Sequence, residues 1–170
     1  MCKYVFTLVM AVFVLFSSLA AFADQESERA CLKGLQRCRV RITIRDDDKV
    51  GIDEDAVRSA VELPLRQLGI TIPSANDESC WAILDVQVTS LVTRESESRK
   101  PFLYTIYVSC ILRQLVSLKR DGNKTEFYAS TYSKADQQVQ DNFDVDKAMR
   151  MIPKIMEGFS NDYLAVNPKR

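Results

Sequence analysis

The chain contains no histidine, so neither a serine nor a cysteine nucleophile can be activated by an imidazole. Its five glycines stand singly, and none belongs to a phosphate-cradling loop. Carboxylates are what remains for acid–base work. Asp85 is the one acid inside a stretch otherwise suited to burial. Its odd number puts it on the outer side of that strand, near Gln87 and Thr105, where a structural role outweighs a catalytic one. Asp46-Asp47-Asp48 lacks the alternating oxygen ligands and the glycine of a calcium loop, and a solvated turn is the expected fate of such a run. The residues therefore assign no catalytic group, no metal and no cofactor, and a hydrolase using carboxylates ranks third among the functional readings.

The cysteines offer a different chemistry. Cys2 lies in MCKYVFTLVMAVFVLFSSLAAFA, residues 1–23, where Lys3 precedes an apolar run and Ala21-Phe22-Ala23 places small residues at the last and third-last positions. That pattern predicts a secretory signal cleaved before Asp24 rather than a transmembrane anchor, and hence a periplasmic or secreted product. Cys31 follows Glu28-Arg29-Ala30 rather than an apolar lipobox, so no lipid anchor is expected there. Cys31, Cys38, Cys80 and Cys110 remain, an even number in an exported chain, which predicts disulfides. Their gaps resemble no zinc site. The preferred pairings are Cys80 with Cys110 across a hairpin, and Cys31 with Cys38 in a small loop opened by Gly34. In an unbroken helix Cys31 and Cys38 would sit about 10 Å apart along the axis, too far to bond.

Removing residues 1–23 takes one lysine and no acid from 23 basic and 23 acidic residues, leaving a balance of −1. No net field steers the product toward nucleic acid or a membrane surface. No second long apolar run follows, so no membrane span is expected after cleavage.

The elements that position these residues follow from periodicity. Residues 24–37 form an N-terminal segment, partly helical, and residues 38–167 a single domain. From Cys38 to Arg45, Val40, Ile42 and Ile44 alternate with Arg39, Arg41, Thr43 and Arg45, the mark of a half-buried strand. Asp53 is a helix N-cap, Val57, Ala60, Val61, Leu65 and Leu68 an apolar stripe, and Gly69 a stop. Pro64 predicts a kink.

Cys80 to Leu118 reads as two long strands joined by the charged loop Arg94–Lys100. A hairpin centred near residue 95 sets Cys80 opposite Cys110 and Ile83 opposite Tyr107, with even-numbered residues inward. A slip of one residue would reverse the faces. Arg120-Asp121-Gly122-Asn123 is a turn signal, and Lys124–Ser133 the returning strand. Either Phe127 and Ala129 or Tyr128 and Tyr132 face inward there. Asn123-Lys124-Thr125 matches a glycosylation sequon, which matters only in a glycosylating host. Val145, Ala148, Ile152, Ile155, Met156, Phe159 and Tyr163 mark a closing helix, capped by Asp144 or Asn142, with a kink or a restart at Ile152 before Pro153.

The order β-α-β-β-β-α predicts the α+β type of α/β fold. It is a two-layer sandwich in which a mixed, mostly antiparallel four-stranded sheet carries two helices on one face. The order is similar to that of small bacterial envelope domains, such as the N-terminal domain of TolB or the lipopolysaccharide-assembly lipoproteins. That likeness is one of element order and is not carried into function.

The sheet face away from the helices holds the candidate binding residues Arg39, Arg41, Trp81, Ile83, Tyr107 and Arg113. Trp, Tyr and Arg are enriched where partners dock. Two arrangements fit: the face is open to a partner, or the N-terminal segment, with Leu32 and Leu35, folds over it. The leading functional reading is a non-enzymatic, exported adaptor that docks a protein partner or a second copy on this face. The alternative is carriage of a small apolar ligand or lipid between the kinked helices and the sheet. An exposed edge at Lys124–Ser133 could also accept a partner's strand.

Overall fold

The computed structural model describes residues 26–46, 51–74, 77, 79–94, 101–120, 123–142 and 144–168. The expected signal segment, Asp47-Asp48 and the Asp121-Gly122 turn lie outside the described residues.

Alternating branched residues make β1 (Arg39–Asp46). Asp53 then caps α1 (Glu54–Gln67), its side chain accepting from the Asp55 N–H, with Glu54 and Asp55 against the positive end of the helix dipole. Val57, Val61 and Leu65 are its buried stripe, and Gly69 follows at a φ of 80°, a conformation that costs a side-chain-bearing residue. Next come β2 (Ala82–Arg94), β3 (Pro101–Arg120), β4 (Asn123–Gln140) and α2 (Val145–Val166). Asp144 caps α2 by accepting from the Lys147 N–H.

The sheet order is β1-β2-β3-β4, with β1 parallel to β2 and the other pairs antiparallel. The fold is the expected α+β two-layer sandwich. Even-numbered residues of β2 and β3, from Ala82 to Val88 and from Ile106 to Leu112, meet the helix stripes in one core. Phe159 sits at its centre, edge-on to Tyr132 (centroids 5.4 Å apart) and stacked on Tyr163 (6.5 Å). Both helices run on through Pro64 and Pro153. The restart at Ile152 does not occur, because Met151, Ile152, Ile155 and Met156 are all buried and hold that stretch of α2 to the core.

The hairpin register differs from the one the cysteines suggested. Cys110 pairs with Val86, Ile83 with Arg113, and Tyr107 with Thr89. The offset from the expected register is an even number of residues, so each side chain keeps its predicted face while every cross-strand partner changes. Cys80 precedes β2 and does not face Cys110. Cys31 and Cys38 do not meet either, since the turn through Gly34 carries Leu32 and Leu35 into the core and leaves Cys31 half-exposed. All four thiols are free, which corrects both expected disulfides. Cys31 donates to the Ser27 carbonyl, Cys38 to that of Arg39 and Cys80 to that of Ala82.

A register shift at Leu112/Arg113 resolves the choice of faces in β4. Leu112 pairs with Tyr132 and Arg113 with Ser130, so Thr131 is a bulge residue. Tyr132 is therefore buried on the helix side. Beyond the bulge Tyr128, opposite Leu115, turns to the other face, and Phe127 and Ala129 take the helix side. Neither expected pair is buried as a pair: Tyr132 is enclosed while Tyr128 is 44% exposed, and Phe127, on the helix side, is 41% exposed.

Candidate functional site

The N-terminal segment does not cover the second sheet face. It packs against α2: Tyr163 donates to the Leu35 carbonyl at 3.0 Å, and Asn167 Nδ2 to that of Leu32 at 2.9 Å. Arg29 Nε reaches Asp162 Oδ1 at 2.7 Å. Leu32 and Leu35 are thus core residues on the helix side, and the covered-face alternative is corrected.

Asp162 closes that clasp. Tyr132 donates to its Oδ2 at 3.0 Å, and Lys134 Nζ lies 2.9 Å from the same oxygen. Burial pushes this carboxyl upward, but the bonds from Lys134, Tyr132 and Arg29 together outweigh it, and it ends below the ordinary carboxylate range. Burial, then the bond to Asp162, raises Tyr132. Sequence reasoning passed over Asp162, although its position three residues after Phe159 and seven after Ile155 lies on the apolar stripe.

With the clasp on the helix side, no described helix covers the odd-numbered face of the sheet, although Ile83, Asp85 and Ser109 within it are buried. Its residues run in rows across the strands. Trp81, whose carbonyl accepts from the Leu115 N–H, begins one row, and Tyr128 ends it opposite Leu115. These three are 44%, 40% and 44% exposed. The next row is Arg39, Ile83, Arg113 and Ser130, then Arg41, Asp85, Ile111 and Ser133. Farther along lie Arg45, Thr89, Tyr107 and Gln137, and on the following row the exposed Leu91 and Val139 flank Thr105.

The predicted set is therefore split. Arg39, Arg41, Trp81, Ile83 and Arg113 are neighbours. Tyr107 stands opposite Thr89, six residues along β2 from Ile83, or about 20 Å at 3.3 Å per residue. Ile83 is buried beneath its neighbours at 7% exposure. Leu115 and Tyr128, absent from the predicted set, complete the apolar end.

Asp85 sits in this face as a buried carboxylate. Arg41 donates to it from both Nε and Nη2, the latter at 2.8 Å. Arg113 Nε lies 2.9 Å from Oδ2 on the other side, an ion pair off the line of a hydrogen bond. Asp85 does not neighbour Thr105, which pairs with Leu91. Its bond to Arg41 raises that guanidinium, so Arg41 stays charged throughout the working range. The face thus carries four described guanidiniums, from Arg39, Arg41, Arg45 and Arg113, against the carboxylates of Asp85 and Glu126.

Three thiols share the opposite side of the sheet with the core. Burial, with the nearby Cys80, pushes Cys38 up to about 12, and burial with Cys38 pushes Cys110 upward. Among the described residues no helix is long and apolar enough to cross a membrane.

No protein-family model matches the sequence, and no curated protein does. Among solved structures, a minor lipoprotein of Acinetobacter baumannii overlaps 78% of this chain and 95% of its own at 9% identity and a TM-score of 0.38. A PelC dodecamer from Paraburkholderia phytofirmans overlaps 77% and 89% at 12% identity and 0.41. A lipoprotein of Neisseria meningitidis overlaps 74% and 98% at 12% identity and 0.37. Likeness at these values defines neither family nor function.

Proposed function

We propose that this protein is an exported binding or adaptor domain that docks a protein partner on the outer face of its sheet. One observation carries the reading. A sheet face that holds Trp81, Tyr107, Leu91, Leu115 and Tyr128, all more than a third exposed or nearly half exposed, lies open beside four arginines while the N-terminal segment packs elsewhere. Large exposed apolar patches on soluble domains have a use, and Trp, Tyr and Arg are the residues that anchor interfaces. Export rests on residues 1–23 alone, now that the cysteines are free thiols.

The test is site-specific photo-crosslinking in the native host, with the crosslinker at Trp81 or Tyr107 and, as control, at the exposed Glu157 of α2. Docking gives a discrete protein adduct from the two sheet positions and none from the helix. Equal labelling from Glu157, or no adduct from either sheet position, removes the reading.

A further inference from the structure

We infer that the docked partner presents an acidic surface whose carboxylates meet the guanidinium row Arg39, Arg41 and Arg45 along β1, and that the partner is not a second copy of this chain. The inference deepens the docking reading and rests on it.

The charge on the face is uneven. Among the described residues four guanidiniums stand there against two carboxylates, although the chain as a whole is balanced at 23 basic and 23 acidic residues. Of those two carboxylates, Glu126 lies beyond the end of β2, opposite Ser117, and Asp85 is 3% exposed. Asp85 cannot satisfy both of its arginines. Arg41 uses Nε and Nη2 on it, and the fork geometry leaves the N–H groups of Nη1 for another acceptor. The Arg41 side chain remains 55% exposed.

The spacing is also that of a receptor for an extended or sheet-like surface. Arg39 and Arg41 are two residues apart on one face of a strand, about 7 Å, so carboxylates at alternate positions of a partner strand match their repeat. A depression of about 310 Å³ opens at the β1 edge between Arg39, Arg41 and Arg58, over Val40, Ile42 and Ile83. It offers a carboxylate-bearing side chain an apolar floor beside Arg39 and Arg41, while Arg58 on the far rim is already held by Glu54 and Glu62. Charge-assisted, bidentate bonds from arginine to carboxylate are the strong ones at interfaces.

Self-docking fails on the same account. Two copies meeting face to face would desolvate eight described guanidiniums, four from each, with the central Asp85 carboxylates already enclosed. Like charges brought together in a dehydrated contact exclude a partner rather than recruit it.

Trp81 is the chain's only tryptophan and lies on this face, so its emission reports occupancy. The full secreted chain is titrated with poly-L-glutamate, with poly-L-lysine, and with vesicles of phosphatidylglycerol. Poly-L-glutamate alone should shift the emission, with affinity falling at least about tenfold between about 50 and 300 mM salt. Arg39→Gln with Arg45→Gln, which leaves the Asp85 pairs in place, should weaken that binding at least about tenfold while circular dichroism stays unchanged. Undiminished binding in the variant, a response to poly-L-lysine, or vesicle binding without poly-L-glutamate binding overturns the inference. So does concentration-dependent dimerisation that shields Trp81. If crosslinks at Tyr107 identify a partner with a basic contact surface, docking stands and the acidic chemistry fails. If no crosslink forms at either Trp81 or Tyr107, the docking reading itself fails.

Discussion

Arg113 lies 2.9 Å from the Asp85 carboxylate although Asp85 stands directly opposite Ile111, so the guanidinium reaches diagonally across β2 and β3 to a group that Arg41 holds from the other side. The two partners are unequal in what their loss would do. Asp85→Asn keeps the shape and leaves two arginines that are 55% and 39% exposed and can return to water. Its cost is about 1–2 kcal/mol. Arg41→Gln with Arg113→Gln instead strands a buried carboxylate and costs about 3 kcal/mol or more. Adding Asp85→Asn to that pair recovers part of the loss. Urea unfolding of the four proteins measures the order.

Asp162 sets an acid limit on the fold. Its folded carboxyl titrates below the ordinary value, so between the two values the unfolded state holds more protons. The stabilisation is complete above about pH 4 and is lost as pH falls through the lowered folded value. Asp162→Asn should lower stability at neutral pH and flatten the acid limb of a stability–pH curve. The first segment to loosen on acidification should be the clasp around Arg29 and Leu35, read by hydrogen exchange at the Leu35 amide.

Free thiols make a second measurable statement. The thiolate is the reactive form, and Cys38, pushed up to about 12 by burial, carries almost none at pH 8. Cys80 and Cys110 are 1% exposed, while Cys31 is half-exposed. Native protein at pH 8 should therefore react with a thiol reagent at Cys31 first, with the other three protected until the domain unfolds. In denaturant without reductant, all four should alkylate, as counted by mass spectrometry. An alkaline limb follows as well: with its folded value raised, Cys38 contributes stability that is whole below about pH 8.5 and declines as pH rises toward 12.

Faces were legible in the sequence and registers were not. Alternation at Val40–Ile44, Ala82–Val88 and Ile106–Leu112 is enforced by burial, which any even shift of the hairpin preserves. Nothing local fixes the shift itself, because the sequence between Arg94 and Pro101 carries no turn signal at its centre. The near-symmetric cysteines drew the register to their own midpoint. The Thr131 bulge lies in a run of Ser, Thr and Tyr where insertion of one residue changes no pattern, and it alone brings Tyr128 to the outer face. Asp85 was visible as a misplaced acid, but its arginine partners depended on the register.

The outer face separates binding from folding through Trp81 and Ile83, which are two residues apart. Ile83 is 7% exposed beneath Arg39 and Arg113, whereas Trp81 is 44% exposed at the apolar end of the face. Ile83→Ala removes a buried branched side chain and should cost about 2 kcal/mol or more. Its effect on association would then mix with loss of fold. Trp81→Ser and Leu115→Ser remove side chains that water already reaches, and each should change stability by no more than about 0.5 kcal/mol. If the face docks a partner, the two serine variants lose crosslinking at Tyr107 while their urea midpoints stay near the parent value. If those variants instead unfold early, the apolar row is structural, and the working surface must lie with Leu91, Tyr107 and Val139 at the other end.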